Sequence, residues 1–258
     1  MRSKTQRLIL RSWAALAAAG LCCGTSAYAV PYSLHWDAPT VDYPGGSTSP
    51  VSFTDVDGSG IGISISWSGN TERFLADYDI GGGVLVSFPD DDVIAGFSGL
   101  WLATEFAAAG ESVTATFAFS EPVTNLYIPV FDVDGASPIF ERLLFRGYSG
   151  GTGIVPSQYD TGDDLLASVV PFEEGGPPNW GLEFLNGGQN DIDTLPPNPG
   201  NIGWALFTDP IDSITLEYAA TPGAERGMVI GDITFVPEPS TLALLIGSLL
   251  VLSRSGRR

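Results

Sequence analysis

The fold is decided by residues 61–67, Ile61-Gly62-Ile63-Ser64-Ile65-Ser66-Trp67, and by residues 113–119, Val113-Thr114-Ala115-Thr116-Phe117-Ala118-Phe119. Apolar and small polar side chains alternate in both stretches. Alternation with a period of two places one set of side chains on each face of a β-strand. The odd-numbered residues of both stretches are therefore predicted to face a hydrophobic core.

Comparable short runs recur along the chain between clusters of Gly, Pro, Asn and Asp, a pattern typical of antiparallel sandwiches and barrels. We predict an all-β fold, a single antiparallel β-sandwich of jelly-roll-like type over residues 30–235. A helix is expected only around residues 102–109. Residues 173–178 and 186–203 are expected to be loops. The predicted strands are 50–54, 62–67, 83–88, 112–119, 123–130, 139–145, 180–184, 204–207, 211–218 and 228–236.

Residues 1–29 have the three zones of a cleavable secretory signal peptide. Four cations begin the chain, a short apolar run follows at 13–23, and Ala27-Tyr28-Ala29 supplies small residues for a signal peptidase. The apolar run is shorter than the roughly 20 residues that a spanning helix needs. We expect export, with the mature chain beginning at Val30.

The C-terminal residues 236–258 combine Val236-Pro237-Glu238-Pro239-Ser240, an apolar run at 241–252 and the basic residues Arg254, Arg257 and Arg258. This order resembles a PEP-CTERM sorting signal, a tail also catalogued as the C-terminal domain of an ice-binding protein. The resemblance implies an apolar helix that anchors the chain transiently in the inner membrane. It also implies processing near Pro237, Glu238 and Pro239 by an exosortase, with this chain as the substrate. The expected location is the cell envelope, the cell surface or an exopolysaccharide-rich extracellular matrix.

The charge between the two ends is strongly negative. Residues 30–235 hold 29 of the 30 acidic residues and only four arginines, with no lysine. Such a body repels nucleic acid and anionic membrane surfaces. Divalent cations and neutral polymers are the compatible partners, although acidity also serves solubility alone. Both cysteines, Cys22 and Cys23, precede residue 30, so no disulfide is expected in the mature chain.

Two acidic turns are the sharpest polar clusters. Asp55 and Asp57 precede Gly58, and Asp132 and Asp134 precede Gly135. Carboxylates two residues apart can direct oxygens at one Ca²⁺, so these four residues are candidate ligands. Acidic turns with Gly are equally ordinary hairpin chemistry, and the EF-hand pattern fails because Ser66 stands where its glutamate is required.

Catalytic signatures are few. His35 is the one histidine of the chain, and no Gly-x-Ser-x-Gly nucleophile elbow occurs. We therefore predict no enzyme. An array of threonines suited to ice is hinted at only by Thr114 and Thr116. Trp180, next to Pro177-Pro178-Asn179, is the best candidate for stacking on a sugar, although strand tryptophans usually belong to a core.

A second resemblance concerns residues 119–135, which look like a strand-turn-strand of exported bacterial sandwich domains similar to carbohydrate-binding jelly rolls. The expected function is a non-enzymatic envelope or matrix protein that binds exopolysaccharide or calcium. Two alternatives remain open: a secreted glycan hydrolase that uses two carboxylates, and a calcium-stabilised adhesion module.

Overall fold

The computed structural model describes residues 30–79, 85–91, 98–131, 133, 141–161, 165–171, 180–186, 203–223 and 225–238. The predicted signal peptide and the tail from Pro239 onward lie outside these residues, as do Asp132 and Asp134. Among the residues described, no helix is long and apolar enough to cross a membrane.

The described part of the chain is built from antiparallel strands and two single-turn 3-10 helices, at Val56–Gly58 and Thr71–Arg73, which confirms the predicted all-β antiparallel class. The strands are β1 (Tyr32–Leu34), β2 (Val51–Phe53), β3 (Ile63–Gly69), β4 (Tyr78–Asp79), β5 (Leu85–Val86), β6 (Leu100–Glu105), β7 (Val113–Phe131), β8 (Glu141–Ser149), β9 (Thr152–Ile154), β10 (Gln158–Thr161), β11 (Leu165–Pro171), β12 (Trp180–Asn186), β13 (Gly203–Phe207), β14 (Ile211–Ala220), β15 (Glu225–Ile230) and β16 (Ile233–Pro237).

The long strand β7 organises the sheet. Its first half pairs with β3 on one edge and β14 on the other. Its second half pairs with β13 on one edge and with β15 and β16 on the other. The pairing with β14 moves from Ala118 to Val123 while β14 advances only from Ser213 to Ile211, so the ladder is irregular between them. Irregularities of this kind bend a strand, and β7 thereby contributes to two layers of one continuous 14-stranded sheet.

The two layers pack face to face. The first layer contains β2, β3, the first half of β7, β14, β8, β12 and β11; the second contains β1, β16, the second half of β7, β13 and β10, with β15 and β6 alongside. The rings of Phe119 and Phe235, from opposite layers, are 5.9 Å apart. A Cβ placed on Gly203 of the second layer would meet the Phe184 ring of the first at 2.8 Å. One hydrophobic core therefore fills the space between the layers.

The alternation that predicted the core is confirmed. Ile61, Ile63 and Ile65 are at most 3% exposed, and Val113 and Phe117 are fully buried. Ser64 and Ser66 are only partly buried, on the opposite face of β3. Because these residues face the core, the side chains on the opposite face of each strand are the ones available for binding.

Several predicted elements are corrected by the structure. Residues 112–119 and 123–130 belong to one continuous strand, because β7 runs through Pro122 without a turn back. The helix expected around 102–109 is wrong, since Leu100–Glu105 is β6 and pairs with β15. Leu102 faces the main core while Trp101 and Ala103 enter a second apolar cluster, so burial on both faces hid the alternation.

Two further differences concern lengths. The strand expected at 228–236 is interrupted by Gly231 and Asp232, which separate β15 from β16. Of the run expected at 83–88, the structure describes residues 85–88, and among these only Leu85 and Val86 form a strand, β5. Strands β1, β6, β9, β10 and β11 carry little or no alternation and were not predicted.

Gly69 ends β3 in a conformation that only glycine adopts easily. Its φ is +85°, and a Cβ there would overlap the carbonyl oxygen of Ser112. Gly110 has a similar φ of +88° but nothing within 4 Å of the added Cβ. We expect Gly69→Ala to lower the free energy of unfolding by about 1–3 kcal/mol more than Gly110→Ala, because only the former adds overlap to backbone strain. Urea denaturation of both variants measures the difference, and equal losses would contradict the overlap.

Candidate functional site

An aromatic pair lies on the outward face of the second layer. Tyr127 of β7 and Trp204 of β13 are on neighbouring strands, with ring centroids 5.6 Å apart and planes inclined by 39°. Both side chains are partly exposed. Their chain neighbours Ile128 and Ala205 are fully buried on the other face. The strand period therefore directs both rings away from the core.

Polar and apolar side chains border this pair, and together they form what we call the aromatic face: Tyr127, Trp204, Leu206, Gln158, Asp160 and Thr234. Thr234 is the register partner of Tyr127, and Asp160 that of Trp204. Gln158 and Asp160 are exposed at the edge strand β10. Rings flanked by hydrogen-bonding groups can stack on the apolar face of a pyranose while its hydroxyls are bound at the rim.

Partial burial raises the pKa of Tyr127 above its ordinary value. The charged phenolate is disfavoured where water is excluded. The phenol therefore keeps its proton at neutral pH and can donate a hydrogen bond to a bound hydroxyl or ring oxygen.

Sequence reasoning missed this pair. In β13 the residues facing the core and the residues facing outward are both apolar, so the local pattern favours a core position for Trp204. The register of β13 on β7 brings Trp204 and Leu206 opposite Pro129 and Tyr127. A partner 77 positions away along the chain could not be identified from the local pattern.

Trp180, the tryptophan singled out from the sequence, is the first residue of β12 and pairs with Pro171 of β11. Its side chain lies outside the description. Its part in sugar binding stays a prediction.

Asp55 and Asp57 lie in the loop between β2 and β3, around the first 3-10 turn. Asp55 Oδ1 accepts the Gly60 N–H at 2.7 Å, and Asp57 Oδ2 accepts the Ser33 N–H at 3.3 Å. Both carboxylates thus stabilise the loop backbone, the ordinary role of acidic residues in turns. Within the described ranges no three His, Cys, Asp or Glu side chains form a group that could hold a metal. Calcium at these residues stays a prediction, and Asp132 and Asp134 lie outside the description.

A groove of about 380 Å³ opens beside this loop. Its floor includes the buried residues Val41, Phe53 and Val56, and its rim includes His35, Asp55 and Asp57. His35 Nδ1 is 2.6 Å from Asp232 Oδ2, and Asp232 Oδ1 accepts the Trp36 N–H at 3.2 Å. The imidazole is thereby oriented, while among the described residues no hydroxyl is hydrogen-bonded to its other ring nitrogen.

The outward face of the first layer is uncharged across β2, β3, residues 114–118 of β7 and residues 213–215 of β14. Register partners in successive strands carry small side chains there, and the row with Thr116 continues through Ser66 and Thr215. The hydroxyl-bearing residues of these stretches are Ser52, Ser64, Ser66, Ser68, Thr114, Thr116, Ser213 and Thr215. The sequence hinted at this face only through Thr114 and Thr116, because the other strands join it through long-range pairing.

Ion pairs border this uncharged face. Arg142 donates to Glu183 at 2.5 Å and to Glu217 at 3.2 Å, and Arg146 lies 3.2 Å from Glu217. Leu144, the register partner of both glutamates, is buried among them on this outward face. Two of the four arginines of residues 30–235 are thus committed to neutralising carboxylates of the sheet.

The predicted processing motif begins inside the sheet. Strand β16 continues two residues past the predicted domain boundary at 235, with Val236 opposite Thr124 and Pro237 opposite Val123 of β7. The Glu238 N–H donates to the Pro122 carbonyl oxygen at 3.2 Å. The first two residues of Pro237-Glu238-Pro239 are therefore held by the bend of β7, and Pro239 lies outside the description.

Comparison with known proteins yields little. No protein-family model matches this chain, and no curated protein matches it. Among solved structures, the family 11 carbohydrate-binding module from Clostridium thermocellum, in complex with a β-1,3-1,4-mixed-linked tetrasaccharide, is 11% identical. The match covers 80% of this chain and 95% of that chain with a TM-score of 0.28. A likeness at this level says nothing about what this chain binds.

Proposed function

We propose that this chain is an exported, non-enzymatic β-sandwich protein that binds a neutral glycan through the aromatic face. The observation that carries the proposal is the outward-facing pair of Tyr127 and Trp204, 5.6 Å apart with polar side chains on either side. A pyranose ring offers the matching chemistry, an apolar face edged by hydroxyls.

The charge of the protein supports a neutral partner. The formal net charge is −19, so an anionic polysaccharide meets long-range repulsion. Among the residues that the structure describes, the aromatic pair and the hydroxyl-rich face of the first layer have no positive side chain at their centres. A neutral exopolysaccharide satisfies the hydrogen-bonding groups without requiring a counter-charge.

Affinity electrophoresis of the full-length protein tests this function. Gels containing neutral β-glucan, xyloglucan or mannan are compared with gels containing alginate, an anionic polymer. We expect at least one neutral polymer to retard the protein and alginate not to. Absence of retardation by every neutral polymer would overturn the proposal, and release of reducing ends would favour the hydrolase alternative.

The proposed route to the cell envelope is export by residues 1–29 and exosortase processing of residues 236–258, with transient anchoring in the inner membrane. It is supported by the residue pattern of the two ends. Pro237 pairs with Val123 of β7 and the Glu238 N–H donates to the Pro122 carbonyl oxygen, so the proposed motif begins at the end of the last strand without a linker.

Replacing Pro237, Glu238 and Pro239 by alanine is expected to leave the C-terminal tail attached, because the processing enzyme no longer finds its motif. The mass of the chain recovered from the producing cell measures this, with retention of the tail as the expected result. Pro210→Ala, at an exposed proline before β14, is the matched control and should be processed normally. Normal processing of the triple variant would remove the sorting assignment.

A further inference from the structure

The groove between β1 and the β2–β3 loop has the composition of a binding site separate from the aromatic face. Its volume of about 380 Å³ lies at the lower end of the range for small-molecule sites. Val41, Phe53 and Val56, each less than 10% exposed, contribute apolar surface to its floor. Its rim carries hydroxyls, an imidazole and two carboxylates, which suits a ligand with one apolar face and several polar substituents.

Each of the two carboxylates at the rim accepts a hydrogen bond from a described residue through only one of its oxygens. Asp55 uses Oδ1 to accept the Gly60 N–H, and Asp57 uses Oδ2 to accept the Ser33 N–H. No described residue donates a hydrogen bond to the second oxygen of either. Each carboxylate is thus preorganised by the backbone and keeps an acceptor available, so little ordering is needed when a donor arrives.

The charges around the groove favour a positively charged donor. None of its lining residues is lysine or arginine. His35 is directed at Asp232, whose carboxylate offsets a positive imidazole. An ammonium group placed at the rim would find two carboxylates and no fixed competing cation, whereas a carboxylate or phosphate would be repelled.

We propose that this groove binds an amino sugar with a free amine, its ring on the apolar floor and its ammonium group between Asp55 and Asp57. The ring supplies the apolar face and the hydroxyl donors, and the amine supplies the charge. N-acetylation removes that charge and enlarges the substituent, so an acetylated sugar loses the main attraction.

Titration calorimetry of the full-length protein with the β-1,4-linked disaccharide of glucosamine, and with its N,N′-diacetylated form, tests the assignment. Chelator in the buffer keeps divalent cations from competing. We expect saturable binding of the amine form and at least tenfold weaker binding of the acetylated form. Asp57→Asn and Asp55→Asn should each weaken the amine form by about tenfold. Equal affinities for the two sugars, or undiminished binding by both variants, would overturn the assignment.

Two controls distinguish binding in this groove from binding elsewhere on the protein. Asp209→Asn removes an exposed acid outside the groove and should leave binding unchanged, because a general attraction of amines to an acidic protein would weaken equally in all three variants. Trp204→Ala removes the centre of the aromatic face and should also leave amino-sugar binding unchanged. The assignment of an amino sugar to the groove and the proposed binding of a neutral glycan by the aromatic face can therefore be disproved independently of each other.

Discussion

Trp204→Ala is expected to weaken binding to a neutral polysaccharide by about thirtyfold or more. Truncating a central aromatic anchor at a binding surface typically costs about 2 kcal/mol or more, which corresponds to that factor. Trp204 is partly exposed on the outward face of β13 and packs against Tyr127 at 5.6 Å. Its loss removes the larger stacking surface and leaves Tyr127 without its neighbour. Affinity electrophoresis in a concentration series of the retarding polymer measures the change.

A matched control distinguishes stacking from general stickiness. Leu166 of β11 is 62% exposed and lies in the other layer. Leu166→Ala should leave the affinity unchanged, and Tyr127→Phe should weaken it moderately through loss of the phenolic donor. Unaltered retardation of Trp204→Ala in the same gels would remove the aromatic face from the proposed function, whichever polymer is bound.

Phe145→Ala is expected to lower the free energy of unfolding by about 3–5 kcal/mol, the usual cost of emptying a large buried aromatic site. Phe145 is fully buried in β8 and meets Phe184 of β12 edge to face, with centroids 5.3 Å apart. Its register partners Leu216 and Leu182 belong to the two flanking strands, so neighbouring backbone cannot easily collapse into the cavity. Equilibrium urea unfolding followed by tryptophan fluorescence measures the loss.

Two comparisons make this result specific. Val169→Ala, on the 39% exposed Val169 of the edge strand β11, should change stability by no more than about 0.5 kcal/mol. Phe145→Leu should lie between that variant and Phe145→Ala, since most of the apolar volume is retained. A loss below about 1 kcal/mol for Phe145→Ala would show that the two layers are not closely packed at this position.

The strand class and the core of β3 and β7 were predictable because they depend on local chemistry. Alternation at Ile61, Ile63 and Ile65 identifies one apolar face regardless of which strand pairs beside it. Where both faces are buried, as at Leu100–Glu105, the same reasoning fails, because a run such as Leu100-Trp101-Leu102-Ala103 has no polar face to reveal its period. The incorrect prediction of a helix around residues 102–109 follows from this missing period.

The loop between β2 and β3 was predictable from the sequence only in part. Asp55 and Asp57 were identified as a polar cluster from their spacing, and the bond from Gly60 to Asp55 is the local turn chemistry that such spacing favours. The bond from Ser33 to Asp57 joins β1 to this loop across 24 residues. The groove is lined by residues of both segments, so its lining could not be assembled from the loop alone.

By itself the sequence determined the antiparallel β class, the inward face of its alternating strands and the strong negative charge, while export and sorting through the two ends stay predictions. The class and the inward faces follow from residues that are adjacent or two apart, and the charge follows from composition alone. Only the tertiary structure decided that β7 belongs to both layers, that Tyr127 and Trp204 share an outward face, and that His35 meets Asp232. The physical reason is that these contacts join residues separated by 77 and 197 positions. Such pairings are set by strand register and by the competition of all strands for the same core, which no local pattern encodes.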